Sequence, residues 1–415
     1  MAVAGLVVPL FTGANIPNAL TAGLSRVLFP VVLLLSLTGL LVGILQSYDE
    51  FSIPALAPAA WNLVILVLLV ALHSSYKHGV YAYAIAWLVA TIVQMLMVAA
   101  ALRRIDFRLR FEIDWRDPRV KQVFILMLPV TIGLGIVNLD QLLNSVFGSL
   151  VSDRAPRAID QAFRIYMLPQ GVFSVAVATV LFPTLSRLAA RRDPVEMRQR
   201  LGNGMRQINL LLIPSAVLLM VLTTPIVRLV YQRGEFGPHS THLVSVALFW
   251  FAFSLPFGGL NLLLTRTFFA LQRPWIPTAL ALGNMIVDVI VSVVLYKPLG
   301  IAGLVIGTAI ANAFMTWLQL ERLRVGFDGR LEGAQTLMIT GRILVASAMM
   351  AGAAWLAWAI VDSAAGRSTI GQLLSVGIGC GVGALVYVRL VLAMRIPEAR
   401  QIEGLIRGRL GRGTR

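Results

Sequence analysis

Charge is what this chain has least of. Only 13% of its 415 residues are Asp, Glu, Lys or Arg, about half the share of a soluble domain. Acids are scarcer than bases, 19 against 35, which leaves a formal net charge of +16. Its one cysteine, Cys380, excludes an internal disulfide framework and a thiolate metal site. Lying inside an apolar run, it reads as a small buried hydrophobe. Of the 4 histidines, His239 and His242 in "RGEFGPHSTH" have a metal-like spacing but no second pair to converge with, so a solvated loop fits them better than zinc. Nucleotide-binding glycine loops and Ser–His–Asp arrangements are missing too. Met1 to Phe11 is apolar yet has no basic n-region, so a cleavable signal peptide is not indicated.

What is abundant is apolar sequence. Hydrophobic residues make up 58% of the chain and the mean hydropathy is +0.82. They fall in runs of about 20, the length that crosses a bilayer core as a helix. The runs are continuous rather than alternating, which selects helices over a barrel. Eleven full spans are predicted, at 27–46, 54–72, 80–102, 122–151, 161–186, 206–231, 242–271, 276–296, 300–321, 342–362 and 370–394. The fold class is an all-α polytopic membrane protein.

The connections between spans sort by charge. On one side 103–121, 187–206, 272–275, 322–342 and 395–415 together carry 24 Lys and Arg, while the opposite connections carry 6. The basic side, with the C-terminus, is expected to be cytoplasmic. Bases confined between spans argue against nucleic acid as a partner. The tail "RIPEARQIEGLIRGRLGRGTR" sets Ile402, Leu405, Ile406 and Leu410 among arginines, a pattern that suits either an interfacial helix on anionic lipid or a solvated tail.

An internal repeat shapes the domain reading. "FSIPALAPAAWN" (51–62) and "WIPTALALGN" (275–284) share an aromatic before Ile-Pro, an Ala/Leu-rich run and a closing asparagine, Asn62 or Asn284. Two quasi-equivalent helical lobes follow, with a site at their interface and alternating access. Three full spans, 122–151, 161–186 and 206–231, precede the span pair that holds the later copy, and only the short apolar stretch 1–11 precedes the pair that holds the earlier one. The first lobe is therefore expected to be incomplete by about two and a half helices. The expected organisation is 1–110 as a remnant of the N-terminal lobe, 111–330 as a six-helix C-terminal lobe, and 331–415 as a helix pair with a basic tail.

Ionisable groups inside a span are costly and mark functional candidates. Arg164, in "AFRIYMLPQGVFSVAVATVLFPTLSR" (162–187), stands just before Pro169 and Gly171. Either it snorkels to the outer headgroups, or it faces an aqueous cavity and grips an anion with paired donors. The proline and glycine are expected to bend its helix. Arg266 lies five residues from the cytoplasmic end of its span, where it either snorkels or adds to the same anion site. Asp140 and Asn144 share one helix face, and so do Asn284 and Asp288, each pair at i, i+4. With Thr308 they offer hard oxygen ligands for a small cation; proton carriage or helix–helix hydrogen bonding would use the same residues. Asp49 and Glu50 in "SYDEF" are the one acidic pair that a membrane glycosyltransferase could use, against the plain reading of a solvated loop.

Four stretches, "FSIPALAP" (51–58), "AFRIYMLPQGVFSVAVATVLFPTLSR" (162–187), "YQRGEFGPHST" (231–241) and "TRTFFALQRPWIPT" (265–278), resemble the lipid II flippases of peptidoglycan synthesis, the MurJ/MviN family. That family sits in the multidrug/oligosaccharidyl-lipid/polysaccharide exporter superfamily. The resemblance runs from about residue 20 to 395 and implies a two-lobe transporter with a C-terminal helix pair, of which this chain holds helices four to fourteen. It implies an inner-membrane location, lipid II as substrate, membrane lipids and a cell-wall synthesis complex as partners, and no enzyme activity. No cofactor is implied beyond sodium or proton coupling. By resemblance Arg164 matches a cavity arginine that meets the lipid-linked diphosphate; Asn62 and Arg266 are further candidate substrate contacts. Asn284, Asp288 and Thr308 look like the sodium set of some relatives. The family's seventh-helix acid aligns with Asn144, and Asp140 lies a turn earlier. Met167 stands where Glu or Gln is usual, and the family's other cavity arginines and an essential acid lie on first helices that this chain does not have. The rival functions are export of another lipid-linked oligosaccharide or of drugs, a glycosyltransferase at Asp49 and Glu50, and a scaffold that transports nothing.

Overall fold

The computed structural model describes residues 18–48, 50, 52–72, 79–105, 117–234, 236–327, 332–365 and 368–399. The apolar start at 1–11, Asp49 of the acidic pair, and the tail from 400 onward lie outside the described residues. Every element described is helical. Among the described residues, eleven helical segments are long and apolar enough to cross a membrane, the number expected from the runs. The chain divides into two compact units, Met1–Asp114 and Trp115–Arg415.

The first unit holds α1 (Asn18–Ser47), α2 (Ser52–Leu72) and α3 (Gly79–Ala101), with α1 and α2 both packed on α3. Leu45, Ala57, Val98 and Ala101 form its small buried cluster. The Trp61 indole donates to Thr91 Oγ1 at 3.2 Å and meets the Trp87 ring edge-on, its centroid 5.3 Å away. Most other side chains on α2 point outward: 6% of its most apolar window is buried, as suits a helix solvated by lipid.

The second unit comprises α4 (Pro118–Val151), α5 (Ala155–Pro169), α6 (Val175–Arg191), α7 (Pro194–Val221), α8 (Thr223–Tyr231), α9 (Pro238–Ala270), α10 (Trp275–Leu299), α11 (Ile301–Gly326), α12 (Gly333–Ala365) and α13 (Thr369–Ala393). Its centre is α7 and α9, with 61% and 56% of their apolar windows buried. Around them α5, α6 and α11 close one core that includes Leu185, Leu201, Leu212, Leu255 and Phe268. A second cluster joins α7 to α12 and α13 through Ile213, Ile343 and Val391.

Two spans are interrupted along their course, each for a local reason, and α1 and α12 start earlier than expected, at Asn18 and Gly333. The bend foreseen at Pro169 and Gly171 takes the form of a single π turn, Gln170–Ser174, between α5 and α6. Proline supplies no N–H to the ladder, and a π turn absorbs the mismatch. The span expected at 206–231 instead begins at Pro194 and breaks at Leu222. Asp193 caps it by accepting from the Glu196 N–H at 3.0 Å, and Pro194 fills the first turn, a start signal legible in "DPVE". Pro225 forces the break by withholding its N–H. The Thr223 hydroxyl compensates nearby, donating to the Leu219 carbonyl at 2.6 Å. Much of what looked like a basic loop, 187–206, is therefore helix.

Candidate functional site

The predicted oxygen ligands converge inside the second unit, where α10 packs against α4 and α11. Asp288 is the focus, 1% exposed. Asn144 Nδ2, from α4, donates to its Oδ2 at 3.0 Å, and the Thr308 hydroxyl, from α11, donates to the same oxygen at 3.3 Å. Ser292, one turn further along α10, donates to Asp288 Oδ1 at 3.2 Å. Asp140 lies close enough to Asp288 for the two carboxylates to interact. Its Oδ1 and the Asn284 Oδ1 are buried without a hydrogen-bond partner. Two neighbouring carboxylates, one of them with an unmatched oxygen, and an unmatched amide oxygen are electrostatically incomplete, a deficit of the kind that a small cation or a proton offsets.

Asp140, Asn144, Asn284 and Thr308 all face one cavity of about 670 Å³, which also reaches Asp160 and Gln170. The cavity thus runs from the Asp288 cluster to the foot of the π turn. Among the described residues no group of three or more His, Cys, Asp and Glu gathers to hold a metal; the oxygen cluster here is built from two acids with amides and hydroxyls. Two of its members escaped the sequence reading. Ser292 continues the i, i+4 series Asn284–Asp288–Ser292 and could have been found by extending it. Gly307 left no such signal: a Cβ there would lie 2.4 Å from Ser292 Oγ and 2.7 Å from Asp288 Oδ1. Its lack of a side chain is what lets α11 approach the carboxylate.

The three residues expected to meet substrate hold separate positions. Arg164 is on α5, nine residues after Ala155, about 14 Å along the helix and deeper than its expected span placed it. Its Nε donates to Asp160 Oδ2 at 2.9 Å, and both side chains are largely exposed, 70% and 58%. Arg266, on α9, donates from Nη1 to Thr179 Oγ1 of α6 at 3.1 Å, on the far side of the π turn in sequence. Asn62 belongs to the first unit, where its side-chain amide donates to the Pro58 carbonyl at 2.9 Å.

One charged group was overlooked. Arg206, counted above among loop bases, is 3% exposed within α7. Its Nη1 donates to Glu332 Oε2 at 2.8 Å, its Nε to Glu398, and its Nη2 to the Asn203 side chain. Glu332 precedes α12 and Glu398 follows α13, so this ion cluster fastens the C-terminal helix pair to α7. Asn209 Nδ2 to Thr340 Oγ1, 3.0 Å, and the Tyr387 hydroxyl to the Leu210 carbonyl, 2.7 Å, extend the seam.

Known proteins place this architecture. A family model described as "Lipid II flippase MurJ" matches residues 1–369. The probable lipid II flippase MurJ of Rhizobium meliloti is 31% identical over 88% of this chain and 69% of its own length. The lipid II flippase MurJ of Burkholderia cenocepacia is 30% identical over 75% of this chain, but the match spans only 61% of that protein. Among solved structures, a crystal structure of MATE in complex with MaL6 superposes with a TM-score of 0.65 at 18% identity, covering 79% of this chain and 75% of that one. An outward-facing multidrug resistance MATE family transporter of the MOP superfamily gives 0.62 at 17% identity, over 79% and 74% of the two chains. At such identities the likeness is one of fold, the two-lobe transporter architecture. The named relatives are flippases and transporters rather than enzymes. The family match and the eleven spans mark a multi-pass protein of the inner membrane. The chain belongs to the lipid II flippase MurJ family.

Proposed function

We propose that this protein moves lipid II across the inner membrane by alternating access, with its basic connections and C-terminus in the cytoplasm. No bond is made or broken in such a cycle. Arg164 is the observation that carries the reading: a permanent cation more than two turns inside a spanning helix, with its side chain exposed and paired with Asp160 on the same helix. A guanidinium offers paired donors to a diphosphate, which a lone carboxylate cannot match in charge. The π turn that follows in the same span gives the helix an irregular segment of the kind often found at functional sites. Arg266, on α9 of the same unit, is a secondary contact for the headgroup.

The oxygen cluster around Asp288 supplies the coupling. A monovalent cation, sodium or a proton, offsets one of the two charges of Asp288 and Asp140, and Asn144, Asn284 and Thr308 would complete the ligands of sodium through side-chain oxygens. A charge moved across 100 mV is worth roughly 2.3 kcal/mol, so one ion per cycle biases the direction. Lipid vesicles reconstituted with the protein and fluorescent lipid II test the assignment. Arg164→Ala is expected to slow flipping at least tenfold while Arg164→Lys retains part of the rate. Flipping that survives Arg164→Ala at the wild-type rate refutes the substrate role. The likeness to multidrug transporters favours one alternative, export of another lipid-linked oligosaccharide or of drugs. Competition by unlabelled lipid II, against a drug-like cation and a different diphospholipid, separates them.

A further inference from the structure

Asp160 belongs to two settings at once. It is the ion-pair partner of Arg164, and it lines the cavity that also holds Asp140, Asn144, Asn284 and Thr308. Both settings lie within the second unit, on the first turns of α5. That stretch of helix is tied down, because the Tyr231 hydroxyl of α8 donates to the Gln161 carbonyl at 3.1 Å.

We infer that Asp160 links the two ligands of the proposed transport cycle, so that an anionic diphosphate on Arg164 and a monovalent cation in the cavity promote each other's binding. The inference rests on the functional reading above. Exposed i, i+4 pairs of this kind are weak, so a diphosphate with several oxygens and more than one charge displaces a single carboxylate from the guanidinium. Asp160 is then an uncompensated negative charge at the rim of a cavity that already contains Asp140 beside Asp288. A third carboxylate near Asp140 and Asp288 raises the cavity's attraction for a cation. Linkage makes the effect reciprocal: a cation that draws Asp160 toward the cavity removes that carboxylate from competition with the diphosphate for Arg164. Asp160 is on this account a positioning residue, acting through Arg164 on one side and through the cavity field on the other.

Sodium binding to the purified full chain in detergent, with and without inorganic pyrophosphate, tests this directly. Pyrophosphate is expected to tighten sodium binding about fivefold, the lower end of ordinary coupling between sites. Asp160→Asn should still bind sodium but lose the effect of pyrophosphate, and Asp160→Glu should keep it, each with an unchanged melting curve. A wild-type sodium affinity that ignores pyrophosphate, or an Asp160→Asn protein that retains the fivefold effect, overturns the inference and leaves the flipping result for Arg164 standing. A wild-type protein that binds no sodium removes the inference together with the cation part of the functional reading.

Discussion

Replacing Arg206 by leucine strips two carboxylates of their common partner. The guanidinium is 3% exposed, and its side chain meets Glu398, 2% exposed, and Glu332, 23% exposed. Breaking a buried pair by removing one member costs about 3–5 kcal/mol, because the charge left behind stays buried. Here Glu398 supplies most of that, since it is 2% exposed and one of its oxygens already lacks a partner. Glu332 keeps some solvent and contributes less. The expected loss is therefore about 3 kcal/mol, concentrated at the seam between α7 and the C-terminal pair. Denaturant titration in mild detergent, followed by the fluorescence of Trp355 and Trp358 on α12, reads it. The cycle is completed by Arg206→Leu with Glu398→Gln and Glu332→Gln, which removes all three charges and should recover more than half of the loss. A single variant that costs under about 1 kcal/mol, the range of exposed pairs, refutes the reasoning. So does a triple variant no more stable than the single one, because the penalty would then not come from orphaned charge.

Two further substitutions probe the same unit. Gly307→Ala places a methyl group 2.7 Å from Asp288 Oδ1, so α11 or the carboxylate must shift. Sodium binding should weaken at least tenfold, whereas Gly283→Ala, with nothing within 4 Å of the added Cβ, should bind as the wild type does; equal affinities in the two variants would remove Asp288 from the ligand set. Tyr387→Phe deletes the 2.7 Å bond to the Leu210 carbonyl and should destabilise the C-terminal pair by about 1 kcal/mol. Tyr387→Phe melting indistinguishably from wild type would show that the seam rests on the ion cluster and apolar contacts alone.

The amino-acid sequence by itself determined the spans and the pairs on them. Hydropathy over about 20 residues and the 3.6-residue period are local properties, so eleven helices, the Asp140–Asn144 and Asn284–Asp288 faces, and the irregularity at Pro169 and Gly171 were all legible without any partner in view. The start of α7 was legible as well, in Asp193, Pro194 and Glu196, but a hydropathy window averages across such polar first turns and begins the span too late. Only the tertiary structure decided which faces meet. Asn144 reaches Asp288 across 144 positions of chain, and no local pattern says that α4 packs on α10 while α11 supplies Thr308. Gly307 matters because of what approaches it, which a glycine in a helix cannot announce. Arg206 is the sharpest case: its neighbours along the chain look like those of any basic connection, and its burial depends on Glu332 and Glu398, 126 and 192 residues away. A charge is cheap in a loop and costly in a core, and the helices that close over it decide which it is.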